Sequence, residues 1–364
     1  MEVVIAHPNG WGIREQAFLR SAAVAAGFST AEQAPSKVRF ATEAEASVHF
    51  CIHHSNLGNV LQPGMNFAVC DAGGSTVDTT LYSVVSVRPV LKLAEKRASA
   101  CVQAGAIFVD FEVEKFLRRT LTGAGLSSDD VMEYTKEGVK DFEGFAKRAF
   151  RDETAEHSIS IAGARFNNTS IRIRRGRMTL SGSTIKAFFD VCVKEITASV
   201  DQQLADLNVP YILLVGGFGD SPYLHQEFRK RYEPRGSQVT TINDSTSKAV
   251  ADGAVLWATA QGLLSRTLAL SWGIETSVAF DPNNSDHQHR KEISSTSNGT
   301  MLPGRWKSLT KKDVPLNDGL AVVAIPFSLE FSSSSADLGK FELDLYSYSG
   351  NDEPMWMRNK QGNS

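Results

Sequence analysis

The sequence predicts an α/β fold, and three observations carry that expectation. Two apolar runs, Phe67-Ala68-Val69-Cys70 and Ile212-Leu213-Leu214-Val215, are unbroken in hydrophobicity, as strands buried on both faces are. Each of them runs into a glycine turn. Strand-like runs also lead repeatedly into helical patterns, the order that builds a sheet covered by helices. The chain has 364 residues, 42% hydrophobic and 22% charged, so it can bury a sizeable core. That length suggests two or three units.

The elements follow in order. Residues 3–6 form a short β-prone run, and Pro8-Asn9-Gly10 turns the chain. A chain opening directly on a strand suggests that earlier material is missing. A helix follows, with Ile13, Ala17, Leu19, Ala23, Val24 and Ala26 apolar and Gly27 as its stop. A strand near residues 38–40 leads to a helix from about Thr42. Residues 66–70 make a buried strand that enters the turn Ala72-Gly73-Gly74, and 76–87 continue as a β hairpin.

Residues 105–150 read as helical, broken near Gly123-Ala124-Gly125 and capped by Ser127-Ser128-Asp129. Short strands are expected over 157–161, 170–174 and 177–180, the last two joined at Arg175-Gly176. Then come a long helix over 181–207, a buried strand over 211–215, and helices over 221–232 and 246–264. Past residue 265 the character changes. Residues 281–300 read as a polar loop, and 321–326, 328–332 and 340–348 as antiparallel strands, with a polar turn over 332–335. The expected domains are therefore 1–264, a β-rich extension over 265–350, and a frayed tail over 351–364. No internal repeat indicates a solenoid.

Composition narrows the function. Lys plus Arg is 38 and Asp plus Glu is 41, a formal charge of −3 that gives no global attraction for nucleic acid or an anionic membrane. Cys51, Cys70, Cys101 and Cys192 lie far apart without a C-x-x-C pair, which argues against a disulfide framework or zinc ribbon. No apolar stretch reaches 18 residues; residues 249–264 are interrupted by Asp252 and Gln261 and read as a buried helix. The N-terminus carries no basic leader. A cytoplasmic protein without a membrane span is expected.

Two constellations can carry chemistry. The first is Asp71-Ala72-Gly73-Gly74-Ser75-Thr76-Val77-Asp78. Consecutive glycines remove the Cβ atoms that would block a phosphate, and successive N–H groups in such a turn form an anion nest. Thr76 adds a hydroxyl, and Asp71 and Asp78 suit a magnesium ion, which prefers a few carboxylates plus retained waters. The same octapeptide is equally a glycine hairpin with solvated acids. The second is Val215-Gly216-Gly217-Phe218-Gly219-Asp220-Ser221-Pro222, a strand running into three glycines and a helix with Ser221 as N-cap and Pro222 as N1. Paired glycines let a flat ligand lie on backbone, and the helix start favours an anion. The spacing is neither Rossmann nor Walker A, and a plain strand-to-helix turn reads it equally well.

An acid-bearing glycine hairpin followed about 140 residues later by a glycine-rich strand-to-helix turn resembles the actin, sugar kinase and heat shock ATPase clan. Residues 212–222 resemble the adenosine loop of the 70-kDa heat shock proteins, and residues 71–78 their second phosphate loop. Residues 3–27 are similar to the opening of the first connecting segment. Thr42-Glu43-Ala44-Glu45-Ala46 matches the stretch carrying a family glutamate. Ala249-Val250-Ala251 with Gly253-Ala254 looks like the second connecting helix. The Glu-Ala-Glu-Ala wording, the Gly-Gly-Phe-Gly-Asp-Ser-Pro loop and the Gly304-Arg305-Trp306 region look most like the divergent heat shock 70 kDa protein 12 branch. The resemblance covers about residues 3–350.

The resemblance implies a two-lobed actin-like ATPase fold of the ribonuclease H-like type, N-terminally incomplete, that binds ATP or ADP with Mg2+. Asp71 would work with magnesium and the attacking water, Asp78 would hold a metal-coordinated water, and Glu43 would lie near the reacting phosphate. Gly73, Gly74, Ser75 and Thr76 would hold the β and γ phosphates, with Gly105 in a further glycine turn. Gly216, Gly217, Phe218, Gly219 and Asp220 would form the adenosine loop. Lys147 and Arg148 would pack around the adenosine, where a guanidinium can stack on a purine.

Departures from the family pattern are specific. Its first phosphate loop and a lysine would precede residue 1, and losing a phosphate clamp and a cation removes rate. Ser75 replaces a glycine, Phe218 and Asp220 replace a polar residue and an arginine, and Gly144, beside Glu143, stands where an acid near the ribose belongs. The leading expectation is thus an ATP-binding protein that hydrolyses ATP if turnover survives. The alternative is a non-enzymatic interaction module with a protein partner or client. A small-metabolite kinase would need a substrate-side base, and none is nameable.

Weaker signals read as structure. His49, Cys51, His53 and His54 sit at a helix end without a second ligand pair for zinc. His287 and His289, with Asp286 and Arg290, fall in a polar loop. Cys101 has no local His to make it a nucleophile. Arg172, Arg174, Arg175 and Arg177 form the densest basic cluster, a solvated face or a contact for an acidic partner.

Overall fold

The computed structural model describes residues 2–9, 11–54, 57–87, 91–241, 249–260, 263–267, 270–288, 290, 294–296, 299–312, 314–317 and 343–357. The chain is mixed α/β and divides into two compact units. One comprises Met1–Ala94 and Ser99–Gly262, the other Glu95–Ala98 and Leu263–Ser364.

In the first unit the strands Gln238–Thr241, Tyr211–Val215, Asn66–Ala72 and Val77–Ser86 are neighbours in that order, and Ala100–Val102 also pairs with Val77–Ser86. The first three run parallel and the fourth turns back antiparallel. Phe67, Ala68, Val69, Cys70, Ile212, Leu213 and Leu214 are almost wholly buried. Both faces of these strands are covered, which is why their hydrophobicity does not alternate. Helix Ala106–Gly123 contributes Val109, Val113, Leu117 and Leu121 at intervals of four, one buried stripe. Helix Gly182–Leu204 contributes Ile185, Phe189, Cys192, Ile196 and Val200 to the same core. Ser181 caps this helix by accepting from the Thr184 N–H, and Ser221 caps Pro222–Tyr232 by accepting from Leu224.

The helical stretch after Gly105 is broken where expected, with Gly125 at φ +79°, and resumes at Ser128–Asp141 behind the Ser127 cap. It does not then continue as α-helix. Phe142–Ala146 winds as a π turn before Lys147–Ala149, and such turns re-aim the side chains that follow. Residues 169–171 form a 3₁₀ turn rather than the start of a strand, because Asn168 accepts from the Ser170 N–H and Arg172 is left-handed. The strands His157–Ser160, Arg177–Leu180 and Ile173–Arg174 make a separate antiparallel sheet.

Val3–His7 pairs in parallel with Val38–Thr42. Helix Ile13–Ala25 packs on this pair through Ala23 and Val24. Its apolar periodicity suggested a wider buried face, yet Ile13 is 86% and Phe18 72% exposed. Helices Glu43–His54 and Ala249–Ala260 pack so tightly that a Cβ at Gly253 would overlap the Ala46 carbonyl. Residues 246–248, 261 and 262 of the expected last helix lie outside the described residues, and Leu263 and Leu264, expected at its end, instead begin the strand Leu263–Thr267.

In the second unit Ser294–Thr296, Gly299–Thr310, Ser271–Ala279 and Tyr346–Tyr348 form an antiparallel sheet, and Leu263–Thr267 pairs with Pro315–Asn317. The segment 281–300, expected as loop, thus contains a strand and the start of another, besides the short helix Ser285–Gln288. The strands expected over 321–326 and 328–332 lie outside the described residues. Of the tail expected to fray over 351–364, residues 355–357 make contacts and residues 358–364 lie outside the described residues. The Trp306 N–H donates to Met355 O at 3.2 Å, Met357 N–H donates to Gly304 O at 2.8 Å, and Arg290 lies 3.8 Å over the Trp356 ring. Among the described residues no helix is long and apolar enough to cross a membrane.

Candidate functional site

The antiparallel register of Asn66–Ala72 and Val77–Ser86 sets Asp71 directly opposite Asp78, both buried. The turn between them closes through the Gly73 N–H, which donates to Thr76 O at 3.0 Å. A second glycine turn docks on its outer rim. Gly105, Ala106 and Ile107 donate their N–H groups to the carbonyls of Ser75, Gly73 and Gly74 at 3.1, 3.1 and 2.9 Å. Gly105 is required there: a Cβ would stand 2.6 Å from the Gly74 carbonyl.

The turn after Tyr211–Val215 meets the same hairpin from the other side. Phe218 and Gly219 both donate N–H groups to Ala72 O, at 2.8 and 3.3 Å. Gly216, at φ +82°, packs against Asp71. The structure therefore brings together Asp71, Asp78, the 73–76 turn, Gly105 and the 216–219 turn, all within one unit. Above Gly74 and Gly217 the space is open.

The acids form one electrostatic cluster. Burial pushes Asp71 up to about 7, and the neighbouring charges of Glu43 and Asp78 push the same way. Burial, then Asp78, raises Glu43. Burial also raises Asp78, opposed by the Cys101 thiol that donates to it. Asp78 Oδ1 is buried without a partner. Three carboxyls crowded in this way gain from a cation. No three His, Cys, Asp or Glu side chains among the described residues are close enough to hold an ion directly. Asp71 and Asp78, paired across the hairpin, are the carboxylates that would hold a cation that keeps most of its waters, as Mg2+ does.

Beside the turns lies a cavity of ≈ 450 Å³ lined by Ala106, Glu143, Lys147 and Arg148 together with the 217–221 stretch. The π turn at Phe142–Ala146 delivers Glu143, and Lys147 and Arg148 follow it. The Lys147 ammonium is not free: it donates to Asp110 Oδ2 at 2.6 Å in a pair whose side chains are 12% and 14% exposed. Arg148 is left as the unengaged cation among these lining residues. Glu143 and Asp220 add two carboxylates, Asp220 raised by burial. Phe218 occupies the predicted loop, but its ring is buried near Phe189, 6.1 Å between centroids, so it anchors the turn.

Two participants were not legible in the sequence. Asp110 sits on a helix 37 residues from Lys147, with no local pattern linking them. Cys101 meets Asp78 only because Ala100–Val102 pairs with the hairpin, a register that no spacing reveals. The histidine cluster is structural. His49 is buried and pushed down to about 4, and His53 and His54 pack on each other at 4.9 Å. His287 Nδ1 accepts from the Asp281 N–H, while His289 lies outside the described residues. No family model and no curated protein matches the chain.

Proposed function

We propose that the first unit binds a purine nucleoside triphosphate, ATP, with Mg2+, where the turns 73–76, 105–107 and 216–219 converge. One observation carries this reading: the 216–219 turn donates two N–H groups to the Ala72 carbonyl of the acid-bearing glycine hairpin, beside a buried, mutually repelling set of acids. Open backbone suits phosphate and nucleoside, and the acids call for the cation a triphosphate brings. The resemblance of the same residues to the heat shock 70 kDa ATPases supports it.

The magnesium ion would supply charge neutralisation of the phosphates when bound. Gly74, Ser75 and Thr76 hold the phosphate end through backbone N–H groups and the Thr76 hydroxyl. Asp71, whose pKa stands near 7, orients a water and accepts its proton at a carboxylate oxygen. Asp78 and Glu43 would hold such an ion through its retained waters. The cavity beside Arg148 and Gly217 takes the nucleoside.

A second reading is favoured by the cavity's charge. With Lys147 engaged by Asp110, the unengaged lining groups are two carboxylates and one guanidinium. Phosphoryl transfer relies on cations around the phosphates, so this balance favours an interaction module that binds nucleotide weakly or without turnover.

Thermal unfolding with and without Mg-ATP tests the first reading, because a ligand of the folded state raises the midpoint. A shift that Asp71→Asn abolishes supports the site, and no shift at millimolar ATP overturns it. Steady-state phosphate release then separates hydrolysis from the interaction module.

A further inference from the structure

The sheet formed by His157–Ser160, Arg177–Leu180 and Ile173–Arg174 breaks three rules of hairpin stability, each time with an arginine. Arg175 and Gly176 form a two-residue connection with φ of +51° and +72°. That is the φ pattern of a type I′ turn, whose first position favours Asn, Asp or Gly. Arg174 and Arg177 stand directly opposite across the ladder, where like charges repel. Arg172, at φ +59°, is left-handed as well. Local rules are broken where a side chain is kept for its function, and a strained backbone marks such places.

The charge around the hairpin points one way. Between Glu156 and Asp190 the sequence holds no acid, but it holds Arg165, Arg172, Arg174, Arg175, Arg177 and Lys186. All five of these arginines are exposed. Arg172 takes the Glu156 carboxylate at 2.7 Å, and Arg177 donates to Ser158 O at 2.8 Å. Among the described residues, the guanidinium groups of Arg165, Arg174 and Arg175 have no hydrogen-bond or ion-pair partner. The tip is also braced: Asn167 Oδ1 accepts from the Arg175 N–H at 2.9 Å, and Gly176 N–H donates to Phe166 O at 2.8 Å. A braced array of free guanidinium forks is preorganised for carboxylates.

We propose that this hairpin is a docking surface for an acidic peptide segment of a partner protein, with Arg174 and Arg175 as its contact residues. The anion already seated on the patch, Glu156, is a carboxylate. Single-stranded nucleic acid is the poorer fit, because base stacking needs exposed rings. The aromatic nearest the tip, Phe166, is only partly exposed and packs on Tyr134 at 5.1 Å.

The test titrates the full chain into fluorescein-labelled decaglutamate and, in parallel, a labelled single-stranded RNA of equal charge, reading anisotropy. The wild type binds the peptide more tightly than the RNA. The double variant Arg174→Gln/Arg175→Asn weakens peptide binding at least about tenfold. Its unfolding midpoint meanwhile rises, since asparagine suits the turn and the opposed charges are gone. A merely structural role for the arginines gives the reverse: a lowered midpoint and unchanged binding. Arg229→Gln/Lys230→Gln, which removes the same charge from the helix Pro222–Tyr232, leaves the affinity in place. The proposal fails if wild type does not bind the peptide, if the RNA binds more tightly, or if both double variants lose affinity equally.

Discussion

The α-carbon of Gly216 lies against the Asp71 carboxylate, so that a Cβ there would overlap Asp71 Oδ1 and the Ala72 carbonyl. The residue is also at φ +82°. The 216–219 turn and the acid-bearing hairpin are therefore one packed object. Gly216→Ala should cost at least about 2 kcal/mol of stability, from left-handed strain plus overpacking. Chemical denaturation measures the loss; Gly217→Ala, whose Cβ faces open space, should leave stability nearly unchanged.

Gly105→Ala should act on the other side of the hairpin. A methyl 2.6 Å from the Gly74 carbonyl must part the two turns or break the three N–H bonds from Gly105, Ala106 and Ile107. The expected outcome is a lowered unfolding midpoint together with loss of any Mg-ATP stabilisation. A variant that folds with reduced stability but keeps the full nucleotide shift would show that this rim does not shape the site.

Asp71 makes stability depend on pH in a defined direction. Its folded pKa is about 7, against an ordinary value of 3.8, so between these values the folded protein keeps a proton that the unfolded chain releases. Stability contributed by the protonated carboxyl is present at low pH and is lost as pH rises through about 7, on the order of a few kcal/mol. His49, lowered to about 4 by burial, works oppositely: its folded form resists protonation, so stability falls as pH drops from 6.5 towards 4. The difference between wild type and Asp71→Asn isolates the carboxyl. Denaturation midpoints at about pH 5 and about pH 8 should show Asp71→Asn gaining relative to wild type at the higher value.

The Lys147–Asp110 pair offers a double-mutant cycle. Removing one partner strands a nearly buried charge, and each of Asp110→Leu and Lys147→Met alone should cost roughly 3–5 kcal/mol. The double replacement should cost much less than the sum. Additive losses in urea denaturation would mean that the pair is not coupled.

Much of the first unit could be read along the chain, because its elements are specified by short-range signals. The unbroken apolar run Ile212-Leu213-Leu214 declares a buried strand, Ser221-Pro222 a helix start, and Val109, Val113, Leu117 and Leu121 a buried stripe. These patterns act over a few residues, and so they survive without knowledge of neighbours. The second unit was less legible. Its polar segment before Gly299 looks like loop, yet Ser294–Thr296 pairs with Gly299–Thr310, since a ladder can be satisfied by backbone alone. The π turn at Phe142–Ala146 likewise has no composition that distinguishes it from α-helix.

By itself the sequence determined that Asp71 and Asp78 flank a glycine hairpin, that Gly216 to Gly219 open a helix, and that arginines crowd residues 172–177. Only the tertiary structure decided which groups meet. It joined the two turns at the Ala72 carbonyl, spent the Lys147 charge on Asp110, left Arg174 and Arg175 unpaired, and set Cys101 beside Asp78. Local propensity acts through neighbours along the chain. Charge pairing, burial and pKa depend on distances across the fold, which are set only when strands register and helices pack.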